Sequence, residues 1–466
     1  MQQRVNVLLL STAMLGTFFS GTASRIFNIS MPTVADSLGT DLIGISWALL
    51  AYQLSNIGLT IIFGRLADLW GREKIFAIGF LVFSVSSLLC GLSQTVLQLI
   101  AFRFIQGVGG AMLQSSSRAL AAEAVPEHLG GRAQGYMTTA HHTGFLLGPS
   151  IGGLTIDYLS WRWTFFFLAP IGLVGALLTL MNLKHRPADT RREPIDYVGA
   201  VLLFAATTTL ILLFDRRMLE ALGPGARWPM AAAFLGTTGG LIAYESRAKS
   251  PFLNLSLFRN RLFSFSAVSL LIMSTCYTVE HLLLPFYMQN VLGLSPSFIG
   301  FLFMVPPIMT VTLAPLSGHV ADRLGPRLPA SVGIGFMIAS LLVGPFFQPA
   351  SHWLLPTLMI ALGAITNGIF NPANSKAMIS MTPREHRGFA TAVNHVLFSG
   401  GNVVGVALGG FLMSAAFDYH TGLSGVVPTT DNPTAFVAAL NATFLAIMAL
   451  SLVGLGTSMA RGDRIS

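Results

Sequence analysis

The sequence predicts an all-α polytopic membrane protein, and three observations predict it. Of 466 residues, 53% are apolar and only 10% are charged, far too little charge to cover the surface of a soluble chain of this length. Apolar runs of about 20 residues recur from end to end, each long enough to cross roughly 30 Å of hydrocarbon as a helix. The apolar–polar alternation that marks a membrane barrel is missing.

Fourteen spans satisfy the hydrophobic-length criterion: 5–37, 44–63, 74–93, 97–121, 133–155, 163–183, 195–214, 228–246, 262–292, 298–318, 327–347, 353–381, 388–415 and 434–458. The first is too long for a cleavable signal peptide, and no small-residue cleavage site is followed by a soluble domain. Cys90 and Cys276 fall inside apolar runs and read as small buried side chains, with neither disulfide nor metal spacing.

The net charge of +8 does not point to nucleic acid, because its placement is a topology signal. One set of loops holds Arg65, Arg72 and Lys74; Arg132; Lys184, Arg186, Arg191 and Arg192; Arg247, Lys249, Arg259 and Arg261; Arg323 and Arg327; Arg384 and Arg387. Both termini, with Arg4, Arg461 and Arg464, fall on the same side; the opposite loops hold Arg162, Arg216, Arg217 and Arg227. The positive-inside rule makes the richer side, and both termini, cytoplasmic. The expected location is the bacterial inner (cytoplasmic) membrane.

The chain also repeats itself. "GRLADLWGREK" (64–74) returns as "GHVADRLGPR" (318–327), and "SSRALAAEAVPEHLGGR" (116–132) has a weaker echo in "NSKAMISMTPREHR" (374–387). Two homologous six-helix bundles give this pattern, a known transporter architecture. The expected organisation is a bundle over 1–186, a two-helix insertion with its linkers over 187–249, and a second bundle over 250–466.

In the first repeated segment, Gly64 and Gly71 are expected to allow close backbone approach in a tight turn. Asp68 is placed to cap a helix or to pair with Arg72. The glycines and charges return in the second copy as Gly318, Asp322 and Arg323, which a loop that only fixes topology would not require. "RFIQGVGGA" (103–111) places Arg103 one turn into an apolar span, with Gln106 and Gly107 beside it; a charge there is paired or functional, unless it snorkels to the headgroups. In "GFLLGPSIGG" (144–153), Gly144, Gly148 and Gly152 share one helix face, so a partner helix can approach closely. Gly153 extends the small-residue run, and Pro149 removes one backbone hydrogen bond and kinks the helix.

Together these segments resemble the major facilitator superfamily. "GRLADLWGREK" is similar to its motif A, "RFIQGVGGA" to motif B and "GFLLGPSIGG" to motif C, the antiporter motif. "WALLAYQL" (47–54), "SWRWTFFFLAPIGL" (160–173), "PFLNLSLFRNRLF" (251–263) and "LPFYMQNVLGLSP" (284–296) resemble the fourteen-helix drug:proton antiporters of the EmrB/QacA type. The resemblance covers nearly the whole chain. It implies two six-helix bundles plus two inserted helices, alternating access and a role for Arg103 in proton coupling.

The chain departs from that family in its first span. The family pattern is close to L-D-x-T-I-V-N-V-A-L-P; Asn28 and Pro32 match it, but Ala23 stands at the aspartate and Arg25 at the threonine. Arg25 sits roughly 30 Å from the inner end of the span and roughly 18 Å from the outer. Asn28 shares its face. Such a polar face points into a bundle or cavity, unless the arginine snorkels or pairs locally. The acid well inside a span is Glu280, in the repeat-mate helix at a similar depth. The expectation is that Arg25 and Glu280 face each other, either as the proton-coupling pair or as a structural salt bridge.

His281 adjoins Glu280, and His141 and His142 precede motif C. Adjacent helix positions do not share a face, so at most one of each pair should point inward. Gln53 and Asn56, with Asn367, Asn371, Asn394 and Asn402, are further polar residues within spans.

The expected function is proton-coupled efflux of an amphipathic small molecule. Apolar side chains would hold its body and a buried charge would orient it. The family's typical substrates are lipophilic cations. Arg25 shifts the expectation towards an anionic or zwitterionic amphiphile, a lipid or an acidic metabolite. The expected partners are that substrate, protons and membrane lipid, with no nucleic acid, no ATP and no cofactor beyond the proton gradient; the working unit is a monomer. The alternative is a non-transporting receptor or sensor on the same fold. No P-loop, nucleophile elbow or metalloprotease pattern points to an enzyme.

Overall fold

Short polar residues stand where the apolar runs begin, and they cap helices. Asn6 accepts from Leu9 N at 3.1 Å, Thr95 from Gln98 N at 3.3 Å, and Asn260 from Leu262 N at 2.9 Å. Each satisfies a backbone donor that the first helical turn leaves open. Inside the spans, Ser and Thr hydroxyls donate back to carbonyls one turn earlier, as Thr22 does to Phe18 O and Ser87 to Phe83 O. That keeps hydroxyls satisfied where water is absent.

The structure is a computed structural model. It describes residues 5–126, 129–181, 196–215, 219, 222–223, 225–248, 255–380, 387–422 and 428–461, and no strand occurs among them. Arg4, Lys184, Arg186, Arg191, Arg192, Arg216, Arg217, Lys249, Arg384 and Arg464 lie outside the described residues, as do parts of the quoted segments at 127–128, 251–254 and 381–386. The helices are α1 (Val7–Ser37), α2 (Leu42–Trp70), α3 (Arg72–Leu92), α4 (Val96–Glu123), α5 (Gly130–Tyr158), α6 (Trp163–Phe166), α7 (Leu168–Met181), α8 (Tyr197–Phe214), α9 (Arg227–Glu245), α10 (Arg261–Phe286), α11 (Pro296–Leu302), α12 (Val305–Leu324), α13 (Arg327–Leu341), α14 (Leu354–Ser380), α15 (Arg387–Thr421) and α16 (Pro433–Ala460).

Among the described residues, eleven helical stretches are long and apolar enough to cross a membrane. They are α1 to α4, α6 with α7, α10, α11 with α12, and α13 to α16. α8 is apolar but shorter, while glycine, threonine and, in α5, two histidines dilute α5 and α9. α10 continues into a π turn at Tyr287–Val291, two residues after Pro285, which has no N–H to give the ladder.

The chain forms two compact units. The first comprises Met1–Thr40, Gly44–Phe204 and Ser295–Met304; the second comprises Asp41–Ile43, Ala205–Leu294 and Val305–Ser466. In the first, α1 packs along α5 and also meets α4 and α7, while α3 lies between α4 and α7. Its core is aromatic: Phe19, Phe76, Phe80 and Phe83 are fully buried, with the Phe19 and Phe83 rings 4.6 Å apart. In the second, α10 packs along α15 and α16, and α13 lies between α14 and α16. Each unit therefore repeats the same helix pairings. Arg162 binds the Gly91 and Ser93 carbonyls at 2.9 and 2.5 Å. It thus closes the end of α3, where carbonyls have no helical partner.

Candidate functional site

The first repeated motif is helical almost throughout, which differs from the loop expected of it. α2 runs through Gly64 to Trp70, because Leu66, Ala67 and Leu69 continue the helix and only Gly71 interrupts it. Gly71 has φ +103° and Gly325, its counterpart after α12, has φ +82°, backbone that side chains with a Cβ rarely adopt. Gly64 and Gly318 carry no such demand. A Cβ on Gly64 would meet only Ser115 at 3.7 Å, and one on Gly318 would meet nothing within 4 Å.

Asp68 does pair with Arg72, at 2.8 Å, and Arg72 reaches on to Glu123 of α4 at 2.6 Å. In the second copy Pro326 follows the glycine. The base comes instead from α14: Lys376 binds Asp322 at 2.5 Å and the Ala321 carbonyl at 2.8 Å. Arg323 is exposed. The two copies thus tie their turn to the next-but-one helix with different residues. Both pairs are about a third exposed or more on at least one side, so replacing Arg72 with alanine should cost at most about 1 kcal/mol. A double-mutant cycle with Glu123→Gln measures that coupling.

Arg103 does not snorkel. It is 1% exposed, with its guanidinium 4.6 Å from the Phe27 ring and 4.4 Å from the Tyr52 ring. It donates to Gln106 Oε1 at 2.6 Å and to the Ala48 carbonyl at 3.3 Å, and Gln106 passes the chain on to Ser87 at 2.7 Å. The guanidinium thus joins α1, α2, α3 and α4 within one unit. Gly107 leaves room for this: a Cβ there would lie 2.4 Å from the Tyr52 carbonyl oxygen.

The glycines of "GFLLGPSIGG" lie on α1, as their spacing predicts. A Cβ on Gly144 would lie 2.3 Å from Phe18 O, one on Gly148 2.9 Å from Thr22 O, and one on Gly152 3.0 Å from Ile26 O. α5 runs unbroken through Pro149. Its other face meets α11, where a Cβ on Gly153 would lie 2.3 Å from Pro296 O. Asp157 accepts there from Ser297 N at 2.9 Å and from its hydroxyl. The second unit has the same stripe, which the sequence reading passed over. Gly401, Gly405 and Gly409 of α15 face α10, with Cβ positions 2.7 Å from Leu271 O, 2.7 Å from Thr275 O and 3.3 Å from Val279.

Arg25 is half-buried on α1, with its guanidinium 4.9 Å from the Phe145 ring of α5; Phe145 in turn meets the His141 ring at 4.4 Å. Asn28 Oδ1 and Gln53 Oε1 are enclosed without a protein hydrogen bond, open acceptors of a kind that needs an explanation in a native fold. Asn56 Nδ2 lies 2.8 Å from a Cβ position on Gly110.

Glu280 is fully buried in the second unit. Ser340 Oγ of α13 lies 3.2 Å from Glu280 Oε2, and a Cβ on Gly363 of α14 would lie 2.7 Å from both carboxyl oxygens. Within its own unit, the group that the acid meets is thus a hydroxyl. His281, expected to share no face with Glu280, is buried beside it at 2% exposed. Every position of 279–288 is buried, so adjacent residues there are both inside. The His281 ring lies 3.9 Å from that of Tyr277, with Nδ1 3.0 Å from the Tyr277 carbonyl. The two units mirror each other here. "SSLLCG" (86–91) matches "ASLLVG" (339–344), which makes Ser340 the mate of Ser87. The site between α1, α3 and α4 holds a buried base from α4; that between α10, α13 and α14 holds a buried acid from α10.

The sequence profile of the Major Facilitator Superfamily matches residues 13–280 and 267–456. The chain belongs to that superfamily. It is 28% identical to the riboflavin transporter RibZ of Clostridioides difficile (strain 630), over 80% of this chain and 81% of that one. It is 26% identical to the multidrug transporter protein MdtP of Bacillus subtilis (strain 168), over 89% and 76%. The putative multidrug resistance protein MdtD of Salmonella heidelberg (strain SL476) is 27% identical, over 88% and 87%. A crystal structure of a bacterial homolog of the human lysosomal transporter Spinster shares the fold at TM-score 0.71 and 14% identity, covering 97% of this chain and 96% of that one. The superfamily member described here is therefore an integral, multi-pass membrane transporter and not an enzyme.

Proposed function

We propose that the chain is a fourteen-helix drug:proton-type antiporter of the EmrB/QacA kind, exporting amphipathic small molecules by alternating access. α5, α8 and α9 complete the count beyond the eleven long apolar stretches. The observation that carries the coupling is a carboxyl group, Glu280, fully buried in an apolar helix; such groups in spans mark ion or proton pathways. The substrate reading rests on Arg25, laid over Phe145 on the same helix face as Asn28. A cation beside an aromatic face and an open amide acceptor suits an anionic or zwitterionic amphiphile, including a lipid or an acidic metabolite. The names of the relatives, multidrug and riboflavin transporters, agree with a broad class of ring-bearing substrates. The working form is a monomer in the bacterial inner membrane, both termini cytoplasmic, driven by the proton gradient without ATP.

Reconstituted vesicles with an imposed pH gradient test both parts. Wild-type protein is expected to drive substrate uphill and to stop when an uncoupler is added. Glu280→Gln should keep downhill counterflow and lose the uphill phase; full uphill transport by that variant sinks Glu280 as the coupling acid. Arg25→Ala should weaken anionic substrates about tenfold, on the order of 1.4 kcal/mol. Stabilisation of the wild type by lipophilic cations alone sinks the anion reading.

A further inference from the structure

The hydrogen atoms around Ser340 do not balance unless Glu280 carries one. Ser340 Oγ lies 2.8 Å from the Met359 carbonyl oxygen and 3.2 Å from Glu280 Oε2. A serine hydroxyl has one hydrogen and two lone pairs, and a carbonyl oxygen can only accept. If that hydrogen goes to Glu280, two lone-pair oxygens face each other at 2.8 Å across the Met359 contact. If it goes to Met359, the contact with Oε2 needs a hydrogen from the carboxyl group itself. The second arrangement satisfies both contacts. Glu280 Oε1 has no hydrogen-bond partner among the described residues, and Glu280 is fully buried, surroundings in which an unpaired ionised carboxylate is very costly.

From these contacts we infer that Ser340 is a positioning residue that holds a proton on Glu280 Oε2. Gly363 keeps the space in which that proton rests. The inference rests on the reading of Glu280 as the coupling acid and adds where its proton sits and what holds it. Release of the proton to water leaves a carboxylate, and the Ser340 hydrogen must then turn from Met359 O to Oε2. The hydroxyl is thus a two-position switch: it accepts from the acid in one state and donates to the carboxylate in the other. A methyl group on residue 363 would fall 2.7 Å from both carboxyl oxygens, so only glycine leaves the acid within reach of Ser340.

Among the described side chains of this unit, no charged group on the helices packed against α10 lies beside this turn. On α10 the nearest titratable side chains are Cys276, 3.5 Å from the Ile447 carbonyl, Tyr277, whose ring lies 3.9 Å from that of His281, and His281, turned to the Tyr277 carbonyl. On the helices packed against α10, Arg327, Lys376, His395, Asp418, His420 and Arg461 each lie at least nine residues along their helix from the residue meeting the 276–280 turn, about 13 Å or more of helical rise.

The test is infrared difference spectroscopy of the full chain in lipid nanodiscs at neutral pH, without substrate. The wild type should show the C=O stretch of a protonated carboxyl group that is absent from Glu280→Gln. Ser340→Ala should shift that band, and Gly363→Ala should shift or remove it while leaving the carboxyl in place. A wild type with no Glu280-dependent acid band overturns the inference, even if transport proves proton-coupled. A band that Ser340→Ala leaves unmoved overturns the role of Ser340. The expected band together with transport that ignores the pH gradient would support the site described here and sink the antiport reading alone.

Discussion

Exchanging Arg103 for alanine is expected to lower stability by about 3 kcal/mol and to abolish transport. The loss has three sources. Gln106 Oε1 and the Ala48 carbonyl lose their donor, at about 1–3 kcal/mol for a buried group left unmatched. The guanidinium leaves the Phe27 and Tyr52 rings, where desolvated cation–π contact contributes about 2 kcal/mol. A cavity also opens where four helices meet. Arg103→Lys should recover less than half of the loss. An ammonium is a point charge and cannot lie flat between two rings while reaching acceptors on two helices. Thermal unfolding of the purified variants, alongside counterflow in vesicles, measures both. A lysine variant equal to wild type would mean that charge alone matters at this site, and that the planar stack does not.

That box was half legible in the sequence. "RFIQGVGGA" announces a charge inside an apolar span, and Gln106 lies one turn on, so a short polar chain follows from spacing. The aromatic walls do not, because Phe27, Tyr52 and Phe165 come from three other helices and nothing local ties them to residue 103. Glu280 shows the same limit. That it lies inside a span was readable by counting residues; its surroundings within the second unit were not. A hydroxyl from α13 and a glycine from α14 lie against it, and residue spacing names neither. His281 departs from the one-face rule because that rule assumes a helix with an outside, and α10 has none over 279–288, where every residue is buried. Motif A misleads in the other direction. Its charges suggest a loop, yet a helix carries all of it up to the single glycine whose φ is positive.

Gly144→Val is expected to prevent accumulation of folded protein, while Gly135→Val on the same helix is tolerated. The difference is one of distance to backbone. A Cβ at 144 would sit 2.3 Å from the Phe18 carbonyl oxygen, and the atoms behind it belong to α1, which cannot move without leaving α5; at 135 a Cβ meets nothing within 4 Å. Small residues let membrane helices pack backbone to backbone, where association cannot draw on the hydrophobic effect. Overpacking such an interface costs about 1–3 kcal/mol or more, and three glycines in register leave no slack along its length. The second unit offers an independent copy of the experiment. Gly405→Val should behave like Gly144→Val, since its Cβ would meet Thr275 O at 2.7 Å, and Gly410→Val, with nothing nearby, should behave like Gly135→Val. Fluorescence-detected size-exclusion of the four variants decides the matter. If the stripe variants match their controls, α1–α5 and α10–α15 have room to separate, and the close packing is not what holds either unit. If they fail together, the antiporter motif of the first unit and its unremarked twin in the second are one structural device used twice. Each fixes the helix that carries a candidate working charge: Arg25 on α1, Glu280 on α10.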